Sequence, residues 1–290
     1  ILDREGHIVA IFVGTPEDPD WPAVIADMVR TFTQARKDAC DVGALSTEAS
    51  LHCRGNYYQF TEGVSLGGRQ RVSPHLFISK RAELIIRHIN ANKSVWRVVG
   101  FQSSALMNFA LKMAKEYIKD LRTLFTTHPE LRHNYRNSIF PAATYNLGPR
   151  TATFNHLDGV NRPDGLCALT TGGDYDHKKS THLYLEQLHV VVEFPSGVTS
   201  LLPSATVGHG NTPLQDGKTR CSLTQYAAGR LFRRVGYGFK TAKQLLKEKG
   251  GAARKALFDG MPGERARKGL ALFSKPEELA ADRKSEFATA

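Results

Sequence analysis

The sequence predicts an α+β chain in which a barrel of short antiparallel strands is braced by helices from the N-terminal part. Three observations predict it. Residues 150–226 break into short β-prone runs at 150–156, 166–171, 181–185, 189–194, 198–202 and 220–226. The breaks between them, Gly172-Gly173-Asp174, Pro195-Ser196-Gly197 and Gly208-His209-Gly210-Asn211, are turn chemistry. The first 146 residues carry apolar stripes at helical spacing instead, which suits helices packed on one face of a two-sheet barrel.

Each element follows from local pattern. Residues 7–14 read as a strand and Thr15-Pro16-Glu17-Asp18-Pro19 as a loop. Asp20-Trp21-Pro22 reads as a helix start, with Asp20 at the N-cap and proline tolerated in the first turn. Val24, Ile25, Met28, Val29 and Phe32 give that helix one apolar face. Residues 45–74 form a long loop rich in Gly, Ser, Arg and Tyr. Its arginines and aromatics either line a groove for DNA, or Tyr57 and Tyr58 are half-buried packing residues; Arg69 is either a phosphate contact or a solvated loop residue. A second helix covers 81–89. A longer one covers 103–125, with Leu106, Ala110, Met113, Tyr117, Leu121 and Leu124 at helical spacing and His128-Pro129 as its stop. The expected organisation is an N-terminal scaffold and loop region (1–146), a barrel core (147–240) and a basic C-terminal extension (241–290).

Bulk properties narrow the class. A chain of 290 residues can bury a good core, as one elaborated domain or as two. No apolar run approaches membrane-spanning length, so no membrane partner is expected. Ile1-Leu2-Asp3-Arg4 lacks a methionine and a signal-peptide pattern, as in a trimmed fragment. Cys40, Cys53, Cys167 and Cys221 lie far apart with no zinc or redox spacing, which points to reduced, intracellular thiols. The net charge of +11 is concentrated late: residues 230–290 hold 15 Lys and Arg against 7 Asp and Glu. Arg230, Arg233, Arg234, Lys240, Lys243, Lys247 and Lys249 lead that surplus, which fits either phosphate binding or a solubilising face. There is no internal repeat, no low-complexity tract and no phosphate-cradling Gly-x-x-x-x-Gly-Lys loop.

The chemistry sits in His156-Leu157-Asp158, answered by His209 and then Arg220. Strand periodicity puts His156 and Asp158 on the same side. Two imidazoles and one carboxylate make the facial set that holds non-haem Fe(II) while leaving positions open. Arg220, eleven residues past His209, can clamp a distant carboxylate with its planar fork. The combination points to Fe(II) and 2-oxoglutarate as cofactors of a dioxygenase.

The surrounding text is specific in combination. It runs Gly148-Pro149-Arg150-Thr151, then His-x-Asp-x-x-Asn-x-x-x-Gly over 156–165, then Val192-Glu193-Phe194-Pro195-Ser196-Gly197. His209-Gly210-Asn211-Thr212-Pro213-Leu214 follows, and Arg220-Cys221-Ser222-Leu223-Thr224-Gln225-Tyr226-Ala227-Ala228-Gly229 closes it. This stretch resembles the TET/JBP family of nucleic-acid-modifying dioxygenases, most closely the expanded set of basidiomycete fungi. Arg54-Gly55-Asn56 and the 63–70 segment also look like the fungal members. The resemblance implies a double-stranded β-helix (jelly-roll, cupin-like) dioxygenase core braced by N-terminal helices. It implies His156, Asp158 and His209 as iron ligands, and Arg220 on the far carboxylate of 2-oxoglutarate with Ser222 as a hydroxyl donor beside it. Asn161 is then a contact to a flipped base or an Asx-type turn residue, and Tyr226 a stacking platform or plain barrel packing. Arg69, Arg233, Arg234 and Lys240 are candidates for the DNA backbone.

Two departures matter. Ala228 stands where animal TET enzymes carry a histidine near the base, which opens the pocket to N6-methyladenine as well as, or instead of, 5-methylcytosine. Gly67-Gly68-Arg69 lacks the third glycine that fungal relatives often show. The implied activity is oxidation of a base methyl group in duplex DNA, with the base flipped out, O₂ as co-substrate, and a monomer working in the nucleus. Two other functions stay open: the same chemistry on a protein or small molecule, and a paralogue kept mainly as a DNA-binding module.

Overall fold

The computed structural model of the chain describes residues 1–66 and 75–287. The elements run β1 (Ile11–Gly14), α1 (Trp21–Asp41), β2 (Leu51–His52), β3 (Gly55–Asn56), β4 (Tyr58–Gly63), α2 (Lys80–Ala91), α3 (Lys93–Phe109) and α4 (Leu111–Thr127). Then come β5 (Ala142–Gly148), β6 (Cys167–Asp174), β7 (Leu183–Leu185), β8 (Val190–Val192), β9 (Thr199–Leu202), β10 (His209–Asn211) and β11 (Thr219–Tyr226). The chain closes with α5 (Gly229–Gly236), α6 (Ala242–Leu246), α7 (Gly251–Asp259), α8 (Pro262–Leu270) and α9 (Leu279–Phe287).

Two sheets make a double-stranded β-helix core. The larger is antiparallel in the order β1-β9-β6-β11-β5-β4, the smaller β10-β7-β8, and β2 and β3 form a separate hairpin. Cys167 and Leu202 of the large sheet pack with Leu183 and Leu185 of the small one, together with Phe194 and Val207, in an apolar layer between them. The outer face of the large sheet is covered by α1, α2 and α3. There Tyr145, Leu147, Cys221 and Leu223 meet Trp21, Met28, Phe32 and Val98. Alternation along β11 therefore sends Cys221 and Leu223 to the helices and Arg220, Ser222 and Tyr226 to the barrel interior.

Helix formation follows the apolar stripes, with some shifts of boundary. Asp20 precedes α1, but its side chain makes no cap bond; its carbonyl accepts from Val24 N at 3.0 Å. α3 starts at Lys93, well before residue 103, because the Asn92 side chain accepts from Val95 N at 2.9 Å and caps it. The single helix expected over 103–125 is two helices. Ala110 leaves helical geometry (φ −144°, ψ 50°), and the bend lets Leu106, Met113, Tyr117, Leu121 and Leu124 all reach one core.

Strand expectations need four corrections. The segment 45–74, expected as a long loop, holds the β2–β3 hairpin and β4, which pairs with β5 in the large sheet. β5 is a central strand with every residue buried, where no strand was expected: its sequence shows no polar alternation to read. The strand expected at 150–156 reduces to isolated bridges, Arg150 with Arg220 and His156 with His209. The expected turn at 208–211 is β10 instead. A Cβ on Gly210 would stand 2.3 Å from the Tyr184 hydroxyl and 2.8 Å from Thr153 O, so glycine serves close packing there rather than a turn.

The first 146 residues do not stay outside the barrel. β1, β4 and most of β5 are strands of the large sheet, and the boundary expected at 146/147 falls inside β5. The extension folds back as well: Arg283 Nε donates to Asn108 O at 2.9 Å, and Lys112 pairs with Glu278 at 2.7 Å. All four cysteines are free thiols, and no helix among the described residues is long and apolar enough to cross a membrane.

Candidate metal centre

His156, Asp158 and His209 converge. One ligand atom from each lies within 4.8 Å of the others, and they are the group of this kind found among the described residues. Backbone pairing brings them together: His156 and His209 exchange N–H···O bonds of 3.1 Å in both directions, and Asp158 N donates to Ser204 O at 2.8 Å. Both imidazoles are held the same way. His156 Nδ1 meets Phe154 O at 2.8 Å and His209 Nδ1 meets Val207 O at 3.0 Å. A carbonyl only accepts, so each Nδ1 carries the proton and each Nε2 presents its lone pair. Those Nε2 atoms lie 3.7 Å and 3.9 Å from the two carboxylate oxygens of Asp158. Burial pushes the His209 imidazole below its ordinary value, and neighbouring His156 adds to this, keeping it in the neutral form that ligates. This 2-His-1-carboxylate set is the Fe(II) site of the 2-oxoglutarate dioxygenases, with an open side for co-substrate.

The co-substrate test falls on Arg220, which is 2 % exposed. Its Nη1 donates to Thr151 O at 2.7 Å and to Asn211 Oδ1 at 3.3 Å. Its Nε and Nη2 are buried with no hydrogen-bond partner among the described residues, and so are Thr151 Oγ1 and Asn146 Oδ1. Buried donors are almost always satisfied, so a guanidinium with two idle donors fits an anionic ligand, and a carboxylate matches its fork. Ser222 stands two residues along β11 on the same side; its Oγ accepts from Asn146 Nδ2 at 2.8 Å, which leaves its own hydroxyl proton to donate.

The other candidates separate. Asn161 lies next to the centre, but its amide donates to Ser204 Oγ at 3.0 Å and to Asp158 Oδ2 at 3.4 Å, orienting the ligand carboxylate and leaving Oδ1 as acceptor. Tyr226 is half-buried, its phenol pushed up to about 12 by burial, with Thr144 as hydrogen-bond partner. Arg233 is exposed, Arg234 is buried, and Lys240 is ion-paired with Glu248, so of these three only Arg233 is exposed without an ion pair among the described residues. Arg69 lies outside the described residues.

Two residues of the 45–74 segment, read from sequence as lining a groove for DNA or, for Tyr57, as packing, stand at the centre instead, with Tyr57 buried as the packing alternative has it. Arg54, in the turn of the β2–β3 hairpin, brings Nη2 within 2.6 Å of Asp158 Oδ1, while its carbonyl accepts from Phe154 N at 2.8 Å. Tyr57 is buried among the charges of Arg54, Arg220 and Asp158, its phenol pushed up to about 12 by burial. The only signal for either was Arg-Gly-Asn-Tyr inside a long loop, and no local pattern says that this loop returns to the metal.

No protein-family model matches the chain, and no curated protein matches its sequence. Among solved structures, NgTET1 in complex with 5mC DNA is similar at a TM-score of 0.54 and 11 % identity, over 78 % of this chain and 74 % of that one. A viral collagen prolyl hydroxylase from Paramecium Bursaria Chlorella virus-1, in its 2OG complex, aligns over 67 % of this chain and 91 % of its own at a TM-score of 0.26 and 11 % identity. The first likeness is one of fold: the chain has the double-stranded β-helix of the TET dioxygenases, and at its mouth stands the Fe(II) ligand set of His156, Asp158 and His209.

Proposed function

We propose that the protein is an Fe(II)/2-oxoglutarate-dependent dioxygenase that oxidises the methyl group of a modified base in DNA, acting as a monomer in the nucleus. The observation that carries this is the pairing of a metal-ready His156/Asp158/His209 set with a buried Arg220 that has two idle donors. The shared fold with a TET enzyme bound to 5mC DNA supports the substrate class, as does the basic surplus of the C-terminal residues.

His156, Asp158 and His209 would hold Fe(II), and Arg220 with Ser222 would hold the far carboxylate of 2-oxoglutarate. When bound, these groups and O₂ supply oxidation of a nearby methyl C–H bond, with 2-oxoglutarate leaving as succinate and CO₂. The chain's own part is orientation and dryness. Phe154 O and Val207 O fix the imidazole tautomers, Asn161 fixes the carboxylate, and buried Tyr57 keeps water from Arg220. A methyl group inside a duplex cannot reach this recessed centre, so the base is flipped out. Tyr226 stacks on it, and the free Oδ1 of Asn161 accepts from its exocyclic amine. Ala228, buried and bridged to Asn161, puts no hydrogen-bonding side chain beside the base. Both 5-methylcytosine and N6-methyladenine therefore suit the pocket, the first giving 5-hydroxymethylcytosine and its further oxidation products, the second losing formaldehyde to restore adenine.

The test is succinate release together with nucleoside mass spectrometry, using duplexes that carry either base. The expected result is 2-oxoglutarate turnover stimulated by methylated duplex, with a matching base product. Turnover indifferent to DNA and no base product would remove the DNA substrate, and no turnover at all would remove the dioxygenase.

A further inference from the structure

A cleft of about 1570 Å³ lies beside the metal centre. Its inner edge includes Val160 and Asn161, which follow Asp158, and Val207, which precedes His209. α5 is clipped to that edge: Gly229 N donates to Val160 O and Arg162 N to Ala227 O, both at 3.0 Å. α7 and α8 also line the cleft, α7 packing on the end of α5 through Phe258 and Tyr237.

The charges in this cleft do not cancel. Its carboxylates are mostly committed: Glu116 and Asp164 to Arg162, Asp259 to Lys255 and the Tyr237 hydroxyl, and Asp3 to His7. The remaining Asp120 carboxyl is pushed above its ordinary value by burial, with the Arg162 and Lys119 charges pulling the other way. Arg233, Arg265 and Lys268 are exposed; none makes a salt bridge among the described residues, although, against the effect of burial, the Arg265 charge lies near enough to Asp259 to help lower its carboxyl. An aromatic surface stands among these cations. Phe258 is 44 % exposed, meets the Tyr237 ring edge-on with centroids 5.4 Å apart, and lies so close over Gly236 that a Cβ there would be 1.8 Å from the ring. One side of the ring is thus backed by α5 while much of the rest faces the cleft.

We infer that this cleft binds an unpaired stretch of the substrate strand, with phosphates on Arg233, Arg265 and Lys268 and an unstacked base on Phe258. The inference rests on the DNA reading above and adds a strand form to it. Cations alone would serve a duplex backbone as well. A half-exposed ring inside the cationic groove adds a stacking face that a paired base does not meet, the combination by which single strands are held without sequence preference. Unpaired nucleotides flanking the target are what an opened duplex, or a single-stranded substrate, presents there.

The experiment is fluorescence anisotropy of a labelled single strand of about 12 nucleotides and of its duplex, titrated with the full chain at graded salt. Wild type, the R233Q/R265Q/K268Q triple variant and F258L are compared; the triple variant changes only exposed side chains, and leucine keeps an apolar contact on Gly236. The triple variant should flatten the log–log salt slope for single strand by roughly 0.7 for each phosphate no longer neutralised, about 2 in all. F258L should weaken single-strand binding by about 5- to 160-fold, the effect of removing one stacked base, with the slope and the duplex affinity unchanged. Wild-type binding with an unaltered slope in the triple variant, or an unaltered single-strand affinity in F258L, overturns the cleft assignment and leaves the base-oxidation reading standing. A wild-type chain that binds neither DNA form overturns that reading itself.

Discussion

At the scale of single residues, the metal centre depends on lone-pair direction. His156 and His209 each hold a proton on Nδ1 against a carbonyl two residues back, so loss of either side chain removes a pre-set donor, and loss of Asp158 removes the anionic ligand. Removing a partner that merely orients a ligand costs about 10–100-fold in affinity or activity, so removing the ligand itself should exceed roughly 100-fold. His156→Ala, Asp158→Ala and His209→Ala are each expected to lose Fe(II)-dependent succinate formation to that extent while keeping a cooperative thermal melt. Near-normal turnover in all three would displace the site. Arg220→Ala leaves a buried carboxylate of the co-substrate without its partner, a loss of about 2–5 kcal/mol. The 2-oxoglutarate KM should rise about 30-fold or more, and Arg220→Lys should recover only part of it for want of the fork. An unchanged KM would move the clamp elsewhere. Arg150 is a poor substitute, since its guanidinium is engaged with Leu214 O and Gln215 O.

At the scale of elements, the helices brace the sheet through buried polar joints as well as apolar stripes. Gln102 of α3 donates to Thr170 Oγ1 of β6 at 2.8 Å and to Leu223 O of β11 at 3.0 Å, so the strand bearing Arg220 is bonded directly to a helix. A second joint ties β4 to α2: Glu62 Oε2 accepts from Asn90 Nδ2 at 2.6 Å and from the Tyr145 hydroxyl at 3.3 Å. Burial pushes the Glu62 carboxyl above its ordinary value, although these two hydrogen bonds pull the other way. A raised folded-state value means that folding takes up a proton. Its contribution to stability is then full below the ordinary carboxylate value and fades as pH rises through the raised one. Glu62→Gln keeps an acceptor and carries no charge. The variant should be the more stable protein at about pH 8, with the difference closing towards about pH 4. Urea unfolding at both pH values checks this, and a pH-independent difference would refute it. Legibility at this scale was uneven. The apolar stripes of α1 and α4 were plain in the sequence, but β5 was hidden because a strand buried on both faces shows no alternation.

At the scale of the whole molecule, the ends of the chain close on its middle. Ile8 N donates to Ser274 O at 3.0 Å, Ser274 Oγ donates to Asp282 Oδ2 at 2.9 Å, and Arg283 reaches α3. Truncation after Ser274 should therefore lower the melting temperature while leaving the salt slope of DNA binding unchanged, since α9 lies on α3 and α4 and not on the basic cleft. A collapsed slope in the truncated chain would put the phosphate contacts in the tail. The sequence by itself determined the ligand set and the barrel, and pointed to Arg220 as the proposed clamp. Metal-ligand spacing, an arginine on a β-run and turn-punctuated strands are local patterns, and each of their residues reads without its neighbours in space. Only the tertiary structure decided that Arg54 and Tyr57 belong to the centre, that Arg234 is buried, that Lys240 is paired with Glu248, and that a strand near residue 145 lies inside the sheet between β11 and β4. Burial and pairing are set by contacts between segments far apart in the chain, and no window of sequence contains both partners.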